Sequence, residues 1–176
     1  MGLLGDYDLA GNTIICKQVK TGFSTPGQTS NVNLNVAAGS TLTLTSGQHA
    51  GRTINLDTAA GSVVTLPAST GSGDCYRFVV SVLATSNSHI VKVANASDII
   101  LGGATMADTD GTSTIVTFIA NGTSHDTITL NRTTTGSVTI GENFMLVDYA
   151  TNKWLLDGMA TLSNTGTAAT PFSATV

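Results

Sequence analysis

Residues 32–45 read VNLNVAAGSTLTLT, and apolar and polar side chains alternate in both halves of this stretch. A period of two places every second side chain on the same face of an extended strand. In TLTLT (41–45), Leu42 and Leu44 form one face and three threonines form the other, which predicts a strand with one wet face. The intervening AAGS is typical of a turn. The stretch therefore predicts consecutive β-strands.

Similar runs continue to Trp154, with starts about 8 to 12 residues apart, a spacing typical of sandwiches and barrels. We therefore predict an all-β fold, an antiparallel sandwich or barrel that is jelly-roll-like, with no helix longer than about two turns. The expected domains are an N-terminal arm (1–30), a β-domain (31–158) and a C-terminal tail (159–176). Further candidate strands are 53–57, 62–66, 75–84, 89–94, 98–101, 113–120, 126–131, 137–141, 144–150 and 153–158.

Composition supports strands and disfavours several classes of partner. Only 10% of the 176 residues are charged, Glu142 is the single glutamate, and glycine occurs 19 times. Surface helix formers are thus scarce. The net charge is −4 and no cluster of lysine or arginine occurs, so we expect neither nucleic-acid nor membrane-surface binding. No secretory leader is visible, which favours a reducing compartment and free thiols at Cys16 and Cys75.

Two features predict contacts with other protein chains. The strands 75–84 and 113–120 are apolar on both faces, and a chain of this size covers few such strands by itself. The two arms lack alternation but contain apolar side chains that we expect to be exposed on a free monomer. These candidate contact residues are Leu3, Leu4, Ile14, Ile15 and Phe172.

A weak internal repeat relates residues 53–63 to residues 127–138. TINLD followed by GSV is matched by TITLN followed by GSV. The repeat predicts two similar hairpins, and chance similarity within a Thr/Gly-rich sequence is an equally good explanation.

The sequence offers no catalytic, cofactor or metal constellation. Ser124, His125 and Asp126 are adjacent, and neighbouring side chains of a strand point to opposite faces, so they do not predict a triad. Asp57, Asp74, Asp108 and Asp110 have the neighbours of turn caps. The Asp108–Gly111 segment lacks the remaining ligands of a calcium loop. His49, His89 and His125 lack zinc-ligand spacing. We therefore predict no enzyme activity, cofactor or metal.

Four stretches carry a resemblance to a known family: DTAAGSVVTLPASTGSGDCYRFVV (57–80), SNSHIVKV (86–93), NKWLL (152–156) and TGTAATPFS (165–173). The chain resembles small virion structural proteins of tailed phages, the capsid decoration (cement) proteins and their head-fibre relatives. The resemblance implies a homotrimer on the outer capsid surface, made in the host cytoplasm, with the major capsid protein and itself as partners. Its motifs carry the fold and assign no residue a role.

Two other functions remain open. A receptor- or glycan-binding module of a phage fibre has the same composition, and loops with exposed aromatic and Asp/Asn side chains would favour it. A small polysaccharide-degrading enzyme would need a cleft with two carboxyl groups.

Overall fold

β-Strands form two sheets and dominate the chain, as the alternation predicted. The structure is a computed structural model that describes residues 34–110, 114–164 and 167–176. Within these ranges the helix α1 (Ser46–His49) has four residues, within the predicted limit. The strands are β1 (Asn35–Ala37), β2 (Thr41–Thr43), β3 (Thr53–Leu56), β4 (Val63–Thr65), β5 (Cys75–Val80), β6 (His89–Lys92), β7 (Ile99–Asp108), β8 (Thr114–Ile119), β9 (Thr127–Leu130), β10 (Asn143–Ala150), β11 (Lys153–Ser163) and β12 (Phe172–Ser173).

The first six strands alternate between the two sheets. β1, β3 and β5 lie parallel in one sheet, and β2, β4 and β6 lie parallel in the other. Each consecutive pair, β1–β2, β3–β4 and β5–β6, is therefore one coil of a short stack, the arrangement of a β-solenoid.

The later strands complete both sheets. The larger has the order β1-β3-β5-β10-β11-β7-β8, and the smaller has the order β12-β9-β6-β4-β2. β11 pairs with β7 in parallel, and the remaining pairs in both sheets are antiparallel. The expected antiparallel architecture is wrong, because both sheets are mixed. The barrel alternative is also wrong, because each sheet of the described chain ends in two edge strands.

One apolar core contains side chains from both sheets. Ile54, Phe78 and Leu146 come from the larger sheet, and Val64 and Val91 come from the smaller. Trp154 of β11 is buried, and its ring centroid lies 5.8 Å from that of Tyr76. The Phe78 and Phe144 rings stack at 5.0 Å. Such aromatic contacts add to the stabilisation that burial alone provides.

Three expectations about strands need correction. No strand forms at 137–141, where the chain makes a loop. The repeat does not mark two hairpins, because β3 and β4 belong to different sheets and residues 137–138 lie in that loop. Residues 159–163 complete β11 and residues 172–173 form β12, so these parts of the expected C-terminal tail belong to the sheets.

In the described part of the chain, no helix has the length and apolar character needed to cross a membrane.

Candidate interaction surface

Among the described strands, β8 is an edge of the larger sheet, and two isoleucines and two threonines of β8 are exposed. Ile115 and Ile119 are 76% and 73% exposed, whereas Val116 and Phe118 are partly buried on the opposite face. Thr114–Ile119 contains no charged residue and no proline. Edge strands usually carry lysine, proline or a bulge, because an open apolar edge recruits another strand. β8 therefore has the properties of an interaction edge.

The outer face of the sheet beside β8 has a floor of small side chains. Thr105 and Ala160 are exposed there, and Ala107 is half-buried. Apart from the partly buried Leu162, the floor residues are small, and Ile115 and Ile119 of β8 are more exposed than Leu162. Two rows cross the three strands β8, β7 and β11: Ile115–Ala107–Leu162 and Thr117–Thr105–Ala160.

A groove of about 470 Å³ opens above this floor. Both Ile115 and Ile140, which is 69% exposed, line it. A groove lined by two exposed isoleucines fits apolar side chains of another protein, which would remove both isoleucines from water. We call this region the apolar edge surface, defined by Ile115, Ile119 and Ile140 and by the floor residues Thr105, Ala107 and Ala160.

Glu142 holds the loop that carries Ile140. Its buried carboxylate accepts hydrogen bonds from the Thr161 hydroxyl and, at 3.2 Å, from the Leu162 N–H of β11. The carboxylate also accepts hydrogen bonds from three successive N–H groups of the loop. These N–H groups are therefore not available to pair with another strand, and the strand expected at 137–141 does not form. Those N–H groups belong to Ser137, Val138 and Thr139, at 2.9, 2.6 and 2.6 Å.

Gly136 is required at the start of this loop. Its φ of 112° lies in the region that favours glycine, and a Cβ there would collide with the Thr161 hydroxyl and lie 3.2 Å from a Glu142 oxygen. A glycine and a single glutamate thus determine the shape of the groove wall.

Asp148 of β10 holds a second loop in the same way. Its buried carboxylate accepts the N–H groups of Thr70, Gly71 and Ser72 at 3.0, 2.7 and 3.1 Å. The Ser69 hydroxyl donates to it at 2.8 Å. Burial by itself would raise the pKa of this carboxyl, but the hydrogen bonds from residues 69–72 outweigh burial and hold the pKa far below its ordinary value of 3.8. Asp148 is therefore ionised at neutral pH.

Asp126 holds the C-terminal residues. Its carboxylate accepts the N–H groups of Thr175 and Val176 at 2.8 and 3.3 Å. Phe172 is 3% exposed in the core, and its ring stacks on His125 with centroids 5.9 Å apart. The expectation that Phe172 is exposed on the free chain is wrong, because β12 pairs with β9 and carries the ring inside.

The sequence did not predict that these three carboxylates bind backbone N–H groups, although the alternation around Asp148 indicates an inward side chain. Phe144 and Leu146 point into the core, and Asp148 continues their alternation. A charged residue at an inward position must find hydrogen-bond donors.

Among the predicted turn caps, Asp108 accepts the N–H of Asp110 at 3.3 Å, as expected, while Asp57 accepts the N–H of Gly39 at 2.8 Å from the neighbouring coil.

The residues considered for catalysis have separate roles. His125 Nδ1 accepts the N–H of Asn121 at 3.0 Å while Asp126 holds the C-terminal residues, so Ser124, His125 and Asp126 are not linked as a triad. No group of three or more metal-ligating side chains occurs among the described residues. His89 is buried and His49 accepts the N–H of Thr45.

Several predicted residues lie outside the described ranges: Leu3, Leu4, Ile14, Ile15 and Cys16, together with the expected arm at 1–30. Cys75, at the start of β5, is a free thiol as predicted.

A smaller depression of about 210 Å³ adjoins the groove, and Asn143 lines both. Arg77, Asn143 and Asp157 line it, and the Arg77 guanidinium donates to the Asn143 side-chain oxygen at 3.1 Å. These groups can bind hydroxyl-rich ligands, so this depression differs chemically from the apolar edge surface.

Comparison with protein-family models, curated proteins and solved structures gave no match for this chain. The described residues define an all-β protein of two mixed sheets with an apolar edge surface.

Proposed function

We propose that this protein is a phage capsid decoration (cement) protein, a homotrimer that binds the outer surface of the capsid shell and stabilises it. The observation that carries the proposal is the apolar groove beside the exposed Ile140, because apolar side chains of another protein that fill it would remove exposed apolar surface from water. The resemblance to decoration proteins supplies the identity of the partner, the major capsid protein.

The buried carboxylates are consistent with such a role. Glu142 fixes the loop beside the groove through backbone N–H groups, so Ile140 is presented by a preorganised support. Preorganisation reduces the entropy lost on binding. We also propose that the two sheets pack face to face as a sandwich, which their shared core cluster supports.

Attachment through a trimer would be multivalent. Each subunit contributes a modest interface, and linked contacts hold more tightly than one. A ligand that binds the assembled lattice better than its dissociated subunits stabilises the lattice. We propose that the N-terminal arm, with Leu3, Leu4, Ile14 and Ile15, adds further contacts. Such a protein is made in the host cytoplasm and needs no cofactor.

Cosedimentation with empty, expanded capsids tests the proposal. The protein should pellet with the shells saturably, and Ile140→Asp should weaken binding at least tenfold, because it places a charge on the groove wall. Thr43→Asp is the matched control, an exposed position on the edge strand of the other sheet, and it should bind like the wild type. Absence of any shell-dependent pelleting would overturn the proposal.

The smaller depression, which Arg77, Asn143 and Asp157 line, supports a second candidate, a receptor- or glycan-binding fibre module. Arginine, amide and carboxylate side chains together can donate to and accept from sugar hydroxyls. A glycan array separates the two functions. If the wild type binds a bacterial glycan and Arg77→Ala does not, the result favours the fibre module. Absence of binding across the array would favour the decoration protein.

A further inference from the structure

We infer that β8 pairs with β8 of a second copy of this chain, antiparallel and about a twofold axis. This contact goes beyond the proposed function, which names the capsid as the partner and leaves the occupant of the β8 edge open. β8 lies at the edge of its sheet. In the order of the described strands, one side of its backbone has no neighbouring strand, and a second strand can pair there.

The sequence of β8 is self-complementary in one antiparallel register. When Thr117 lies opposite Thr117 of the second copy, Ile115 faces Ile119, and Val116 faces Phe118. Pairs of β-branched and aromatic side chains directly opposite one another are the favoured cross-strand pairs. The same register places both isoleucine pairs on the outer face and both Val–Phe pairs on the core-side face. Moving the centre of the pairing to Val116 or to Phe118 would instead place an isoleucine opposite a threonine.

Charge does not prevent contact between two copies at this strand. Each chain carries a net charge of −4, so two copies repel one another, and like charges at the contact itself would add to that repulsion. Thr114–Ile119 has no charged residue, which makes β8 suitable for contact with an identical strand. A strand of the capsid protein is the other candidate occupant, and nothing in the side chains of β8 favours it over this self-match.

The area of the contact predicts its strength. Stable interfaces bury about 1,200–2,000 Å² in total, and one six-residue ladder with two isoleucine pairs provides less than that. The pair should therefore be weak and depend on concentration. A twofold contact cannot close a ring of three. If the protein is a trimeric decoration protein, β8 joins subunits of neighbouring trimers on the shell.

Cysteine cross-linking tests both the partner and the register. The full chain is first changed at Cys16→Ser and Cys75→Ser, and single cysteines are then introduced at Thr117, Ile115 or Ile119. Under mild oxidation Thr117→Cys should give a disulfide-linked dimer. Ile115→Cys and Ile119→Cys should each cross-link poorly alone and efficiently when mixed, because these positions face one another only between different copies. Thr43→Cys, on the edge strand β2, is the control.

A second measurement covers the chance that a cysteine disturbs the edge. Sedimentation should show self-association weakened at least tenfold by Thr117→Lys and unchanged by Thr43→Lys, with circular dichroism confirming that both variants are folded. Thr117→Cys that cross-links no better than Thr43→Cys would overturn the inference, as would equal cross-linking by Ile115→Cys alone and by the mixture. Cross-linking of β8 only to added capsid protein would overturn it too, while supporting the proposed function.

Discussion

At the scale of single residues, buried acidic side chains fix loops that have few other constraints. Asp148 and Asp126 accept backbone N–H groups from segments distant in sequence, whereas Glu142 accepts those of the loop just before it and that of Leu162. A charge-assisted hydrogen bond is stronger than a neutral one, and loss of the acceptor leaves buried donors unsatisfied. A chain with few charges thus uses some of them inside the fold.

The Asp148→Asn substitution should destabilise the protein by roughly 2–4 kcal/mol, because one amide oxygen replaces a carboxylate that accepts several hydrogen bonds. Denaturant unfolding at pH 7 measures this change. Because the folded pKa of Asp148 lies below its unfolded value, its contribution is present above about pH 4 and is lost as pH falls further. The variant should lack this acid-dependent loss. Asp157→Asn, at an exposed position, is the control; equal stability of the two variants would contradict the role of Asp148.

His89 predicts a separate pH dependence. It is buried, its Nδ1 accepts the Ser62 N–H at 3.0 Å, and its Nε2 lies 2.8 Å from the Val82 carbonyl oxygen. The proton is therefore assigned to Nε2, which donates to Val82. Burial lowers the pKa of His89 below its ordinary value of 6.5, while the hydrogen bond to Val82 and the charge of Asp57 oppose that shift.

A histidine with a lowered folded pKa contributes full stability above its unfolded pKa. As pH falls below about 6.5, the unfolded chain binds the proton first, so stability should fall by at most about 1.4 kcal/mol per pH unit until the folded pKa is reached. Unfolding measured between pH 8 and pH 5 should show a slope in the wild type that is reduced in His89→Gln. Thr43→Gln, at an exposed position without a titratable group, should keep the slope. Identical slopes in the wild type and His89→Gln would show that His89 does not titrate as described.

At the scale of elements, β12 tests whether the C-terminal residues are structural. Phe172→Ala should destabilise the protein by about 3–5 kcal/mol, because it removes a ring from the core. Thermal unfolding measures the loss. Val176→Ala, at an exposed position, should leave the melting temperature nearly unchanged. A Phe172→Ala melting temperature equal to that of the wild type would show that the ring contributes little to the core.

The sequence predicted which segments are strands better than how they pair. Leu44 is buried and Thr41 and Thr43 are exposed, as the alternation of TLTLT required. Strand direction was not predictable, because parallel and antiparallel strands share the same period of two. The loop at 137–139 was missed because its shape depends on Glu142 and Gly136 and not on periodicity.

The interaction surface was predicted only in part. The run 113–120 showed two apolar faces, but its position at the edge follows from the sheet order, which long-range pairing decides. Strand 75–84 has the same pattern, yet β5 lies between β3 and β10, so its apolar faces do not mark an edge. Ile140 was assigned to a strand, and its exposure beside the groove follows from the Glu142 contacts.

At the scale of the whole molecule, the proposed arm should act on attachment and not on folding. Removal of residues 1–20 should leave the melting temperature of the sheets nearly unchanged and weaken capsid binding, because it deletes Leu3, Leu4, Ile14 and Ile15. Calorimetry and cosedimentation measure the two effects. Replacing these four residues by serine in the full chain is the control for length and should weaken binding similarly. A truncated protein that fails to fold would show that this segment belongs to the core.

The central claim is that the protein stands on the outer surface of a capsid as a trimer. Cryo-electron microscopy of expanded shells incubated with labelled protein tests this most directly. Projecting density is expected near the true and local threefold axes, with label on the outside and the size of three chains. Shells without added outer density, or added density that does not follow these axes, would contradict the claim.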